Sequence, residues 1–150
     1  MTEPVTPTKG QLAAAKAIQT WKMANTLAKA LAKRYSKRWQ FIDFLGSKGR
    51  EAAGIVDILA IRKSGKKPPI DGLKRLDLFE ILVIQVKGGS APLPNDDEIA
   101  RLRIVADYYH AQNVILFQWK KGIGTETGYK ILHATRNEWK AVSSEKLFGG

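Results

Sequence analysis

Cysteine is absent from all 150 residues, which removes disulfides, a thiol nucleophile and thiolate metal ligation at once. A reducing compartment is compatible with that, and the expected location is cytoplasmic. Histidine is almost as scarce. His110 and His133 stand alone, without metal-ligand spacing, and read as packing or surface residues. No apolar run approaches the roughly 20 residues a membrane helix needs, and Met1 to Gly10 has no apolar signal core, so no membrane association is expected. Gly122-Ile123-Gly124 lacks the Lys-Ser/Thr of a phosphate loop and reads as a turn. The most consequential absence is of acid: none occurs between Glu3 and Asp43.

That gap is filled with base. Lys9, Lys16, Lys22, Lys29, Lys33, Arg34, Lys37 and Arg38 all fall inside it. The chain carries a net charge of +11, and the excess is one-sided: residues 1–70 hold a net +10 and residues 71–150 only +1. A polyanion is the partner such a field captures, and nucleic acid is the expected one. Lys29, Lys33, Arg34, Lys37 and Arg38, with Lys48 and Arg50 in a glycine-rich loop, are the candidate phosphate contacts. A basic helix face that merely keeps the protein soluble is the blander alternative.

The length suits one domain with a sizeable core. Residues 1–8, with two prolines, read as a flexible tail and 9–150 as one domain. Thr8 is a plausible N-cap with Gln11 as its capping-box partner. Leu12, Ala15, Ile18, Leu27, Leu31 and Tyr35 then recur at helical spacing to about Ser36, with one break expected near Thr20–Asn25. Strands are expected at Trp39–Leu45, from Gly54 to about Arg62, over Phe79–Lys87, at Asn113–Trp119 and at Tyr129–Ala134. A helix capped by Asn95 or Asp96 runs to about Gln112 and can cross over between the third and fourth strands. A short helix is expected from Asn137. The fold class is therefore α/β, a mixed central sheet of about five strands flanked by helices.

The chemistry concentrates in two of those strands. Asp57 is an acid among apolar neighbours in Gly54-Ile55-Val56-Asp57-Ile58-Leu59-Ala60-Ile61. Burying an unpaired carboxylate is costly, and a cation beside it is the economical remedy. Gln85 and Lys87, two apart at the end of the next strand, point to one face. Together these three can converge on one divalent ion and one water. Glu80 is an odd number of residues from both, faces the other way, and is rejected. Taken singly, each residue also has an ordinary structural use, Lys87 guarding an edge and Gln85 satisfied within the sheet.

Gly54-Ile55-Val56-Asp57 followed by apolar residues, and Ile84-Gln85-Val86-Lys87-Gly88-Gly89-Ser90, resemble the two signature strands of the PD-(D/E)XK nuclease superfamily over roughly residues 9–119. The resemblance is nearest to Holliday-junction resolvases and small phage or mobile-element nucleases. It implies a restriction-endonuclease-like core and a Mg²⁺- or Mn²⁺-dependent endonuclease on double-stranded or branched DNA. Asp57 would be the main metal ligand, Gln85 a second, and the Val86 carbonyl a third. Lys87 would orient the water or hold the transition-state charge. Two departures stand out. The usual third-strand acid is Gln85, a substitution some transposon end-cleaving members also carry. The resolvase glutamate on the first helix is missing, with Glu51 as the best substitute and Asp43 the next. A homodimer is expected if two strands are cut symmetrically. A nuclease-fold DNA-binding protein without catalysis is the main alternative, and a basic RNA-associated module a third.

Overall fold

The computed structural model describes residue 6 and residues 8–44, 53–89, 91–119 and 128–149. Chain order is α1 (Lys9–Tyr35), β1 (Gln40–Asp43), β2 (Ile58–Lys63), β3 (Phe79–Gly88), α2 (Asp96–Tyr108), β4 (Asn113–Trp119), β5 (Gly128–Leu132), β6 (Trp139–Val142) and α3 (Ser144–Phe148). The six strands form one sheet in sequence order. β1, β2 and β3 pair antiparallel, β3 and β4 pair parallel, and β5 and β6 continue antiparallel. A parallel pair needs a crossover, and α2 supplies it. The α/β class and mixed sheet are as expected, with one more strand.

Three helical stretches differ from expectation, and α2 is one, closing at Tyr108 rather than near Gln112 because the backbone leaves the helix at His110 with a positive φ. α1 is unbroken through Thr20–Asn25, where Lys22, Met23 and Ala24 are good helix formers and Ala24 is packed into the core. Thr8 and Gln11 form its capping box. Its buried line is Ala24, Ala28 and Ala32, each fully inaccessible, while Leu12 and Met23 are exposed. Alanines let the helix axis lie close on the sheet. The chain end from Asn137 holds a strand before its helix: Trp139–Val142 pairs with β5, and only Ser144–Phe148 is helical.

Strand alternation sorts the core into two layers. Ile58, Ala60, Leu82, Ile84, Val86, Ile115, Phe117 and Tyr129 pack under α1. Phe148 of α3 closes that side, edge-on to Phe41 at 5.3 Å and Tyr129 at 5.2 Å between ring centroids. Val83, Val114 and Leu132 face the other way, under Ile99, Leu102 and Ala106 of α2. The Tyr129 hydroxyl donates to the Ala28 carbonyl, tying sheet to helix. Because Ala28 has no free space around it, Ala28→Leu is expected to cost about 1–3 kcal/mol. A lower denaturant midpoint at unchanged slope would register that loss.

Candidate active site

The polar residues of the two signature strands gather on the α2 side of the sheet, at the C-terminal end of β3. Ile58 stands opposite Ile84, so Asp57, the residue before β2, falls beside Gln85. The Asp57 backbone N–H donates to the Ile84 carbonyl at 2.9 Å. Its carboxylate accepts the Val86 N–H at 2.7 Å, taking the place of the next ladder bond. Asp57 is buried. Burial pushes its pKa from the ordinary 3.8 up to about 6, although the Val86 N–H and the Lys87 ammonium both favour the charged form.

Gln85 is buried, and its Oε1 has no hydrogen-bond partner among the described residues. Orphaned buried acceptors are rare because desolvation without a partner is costly. The amide nitrogen of Gln85 donates to Glu98 Oε2 at 3.4 Å, and Lys87 Nζ donates to the same oxygen at 3.2 Å. Glu98 was not among the sequence candidates. It is the third residue of α2, and it completes a capping box with Asn95, its N–H donating to Asn95 Oδ1 at 2.8 Å. Partial burial works against its charge, but the Asn95 N–H and Lys87 hold its carboxyl below the usual range. The readable signal was positional. A crossover helix starts over the end of the strand it leaves, so an inward acid in its first turn lands on Gln85 and Lys87.

One strand further, Gln118 stands opposite Lys87 in the β3–β4 register, buried, and its Oε1 accepts from Lys130 Nζ at 3.1 Å. The α2 side of the sheet thus carries a polar row running from Asp57 to Lys130.

The remaining candidates are placed as follows. Glu80 faces the α1 side as the alternation requires, and binds Arg62 at 2.6 Å and Ser64 at 3.3 Å. Asp43 pairs with Lys29 rather than turning to Asp57. Glu51, Lys48, Arg50, Ser90 and the Gly122–Gly124 turn lie outside the described residues. Lys33, Arg34, Lys37 and Arg38 are exposed at the C-terminal end of α1 and just beyond it. Arg38 donates to the Lys63 carbonyl at 2.7 Å. Lys63 pairs with Phe79, six residues up β3 from Gln85, so this cluster lies about 20 Å along the sheet from the site. The structure does not bring the α1 cations and the Asp57–Lys87 pair together.

The donor set tests what the site can hold. Among the described residues, no three His, Cys, Asp or Glu side chains cluster as a metal cage. Asp57, the orphan Oε1 of Gln85 and Glu98 offer oxygen only, with no more than two carboxylates. That fits Mg²⁺ or Mn²⁺, which bind through one or two carboxylates and keep several waters, and does not fit a tight zinc centre. No helix among the described residues is long and apolar enough to cross a membrane. No family model, curated protein or solved structure matches this chain.

Proposed function

We propose that this chain is a metal-dependent endonuclease of the PD-(D/E)XK type acting on DNA. The observation that carries the reading is the orphaned, buried Oε1 of Gln85, set where Asp57, Lys87 and Glu98 meet. An acceptor that is buried and, among the described residues, unpartnered, beside a carboxylate that burial penalises, is explained by a cation that satisfies both. The order of elements supports the same reading: a helix, a three-stranded antiparallel meander, a crossover helix and a parallel strand.

Asp57 and Gln85, with the Val86 carbonyl, would hold Mg²⁺ or Mn²⁺. When bound, that ion supplies charge neutralisation at the phosphate and a more acidic water. Lys87 holds a proton at Nζ and can turn from Glu98 to a phosphoryl oxygen, where transition-state charge accumulates. Glu98 holds that ammonium in place, at 3.2 Å, until substrate arrives. Duplex or branched DNA is the proposed substrate, held at the site through its phosphates by Lys130 on the site's own face, with the exposed cations at the C-terminal end of α1 as a separate contact about 20 Å away along the sheet.

A DNA-binding protein without cleavage is the second reading. It is favoured by one observation: the Asp57 carboxylate already has a structural use, capping the Val86 N–H. Incubating the protein with linear and branched DNA in Mg²⁺ or Mn²⁺, beside Asp57→Asn and Lys87→Ala, separates the two. Metal-dependent cleavage lost in both variants establishes the nuclease. Salt-sensitive binding without cleavage establishes the alternative.

Binding has its own signature. Each lysine that neutralises a phosphate steepens the dependence of log K on log salt by about 0.9. The double variant Lys33→Ala/Lys37→Ala is therefore expected to flatten the slope by about 2 in a fluorescence-anisotropy titration. An unchanged slope would remove this helix end from the interface.

A further inference from the structure

The solvent side of α2 is unusual for a surface helix. Ile104 is 68% exposed and Tyr108 75% exposed, and Tyr109, 58% exposed, stands edge-on to Tyr108 with ring centroids 4.9 Å apart. Large apolar groups held out in water by a short helix mark a contact surface, and a prearranged aromatic pair is the type of anchor such surfaces use.

We propose that two copies of this chain pair through α2, antiparallel, about a two-fold axis at Ile104. An isologous contact must be complementary to itself. On this axis a residue any number of positions before Ile104 meets the residue the same number after it in the partner. Ile104 then meets Ile104. Arg101, three before, meets Asp107, three after, so opposite charges meet twice. Ala100, four before, meets Tyr108, four after, so a small residue faces a large one. All of these positions lie on one helix face, at spacings of three and four. Arg101, Asp107, Ala100, Ile104 and Tyr108 are all exposed, and no side-chain partner occupies Arg101 or Asp107 among the described residues.

Charge also says what does not cover this face. On this face Arg101 and Asp107 cancel, a net of zero on a chain of net +11. It offers a polyanion no attraction, and its charges complement a second copy of itself instead. A single helix pair buries less than a standard interface of about 800 Å² per partner. The dimer is accordingly weak, with a Kd on the order of 10 μM.

Sedimentation equilibrium of the full chain across a concentration series tests this directly. The wild type is expected to dimerise, and Ile104→Glu to be monomeric. Arg101→Asp and Asp107→Arg each create two like-charge contacts and are expected to weaken dimerisation at least about tenfold. Arg101→Asp/Asp107→Arg together restore opposite charges and should return the Kd to within about threefold of wild type. All three positions are exposed, so far-UV circular dichroism and Tm are expected to stay at wild-type values. A wild type that is monomeric at about 100 μM, or a dimer indifferent to Ile104→Glu, would overturn the proposal. So would a double variant no tighter than the single ones.

Discussion

Asp57→Asn is expected to abolish metal-dependent cleavage and, in the same molecule, to raise stability at neutral pH in chelator. The substitution keeps the shape and the acceptor that caps the Val86 N–H at 2.7 Å, while removing a charge that burial disfavours. The sign follows from proton binding. Asp57 titrates near 6 in the folded protein and near its ordinary 3.8 in the unfolded chain. Between those values the folded state binds the extra proton, so stability falls as pH rises from about 4 to about 6 and stays reduced above. The full difference is about 2–3 kcal/mol, the scale of a severe core mutation and here in the favourable direction. Urea midpoints of wild type and Asp57→Asn should converge near pH 4 and separate by pH 7.5. A midpoint for Asp57→Asn below wild type at pH 7.5 would mean that the carboxylate stabilises the fold, contrary to the charge penalty assigned here.

Mg²⁺ gives an independent check on the same carboxylate. A ligand that binds only the folded state stabilises it by about 2.7 kcal/mol at a hundred times its Kd. The wild type should gain Tm with Mg²⁺ or Mn²⁺ and Asp57→Asn should not. Stability given up at rest and recovered on binding is the trade-off expected where a residue serves function rather than packing.

Much of this arrangement was legible in the chain, for reasons that differ by element. β3 and β4 are near-continuous apolar runs because both faces of a central strand are covered, and Ile84, Val86, Ile115 and Phe117 are buried accordingly. Asp57, Gln85 and Lys87 could be placed together because strand alternation fixes faces without tertiary information. β6 could not be read: four residues at a sheet edge, two of them exposed, carry little hydrophobic pattern. The α1 stripe was legible in part: Leu27 and Leu31 pack against the core as their spacing predicts, whereas Leu12 and Tyr35 are exposed and the fully buried line is Ala24, Ala28 and Ala32, small residues that carry little hydrophobic pattern. Glu98 escaped because its place in the site is fixed by the return of the crossover helix, eleven residues after Lys87 in sequence, and local spacing does not encode that return.

Lys87 and Glu98 allow the role of the lysine to be separated from that of its partner. Lys87→Ala is expected to slow single-turnover cleavage by roughly 10²–10³-fold, the loss typical of one preorganised donor at a developing anion. Stability should change little, since an ion pair whose side chains stay 20% and 26% exposed contributes on the order of 1 kcal/mol. Glu98→Ala removes the group that aims the ammonium, along with its Oε1 cap on the Asn95 N–H, and a smaller loss of about tenfold in kcat is expected. The double variant Lys87→Ala/Glu98→Ala is decisive. If the lysine merely neutralises Glu98, at 3.2 Å in the resting protein, deleting both should restore most of the rate. If Nζ meets the phosphate, the double variant stays as slow as Lys87→Ala, because removing the partner cannot replace the missing charge. The second outcome is expected. The Glu98 side chain has a use of its own at the head of α2, where its Oε1 accepts the Asn95 N–H at 3.4 Å, and needs no lysine for it, whereas a partly buried lysine ending beside a carboxylate oxygen gains most when an anion arrives.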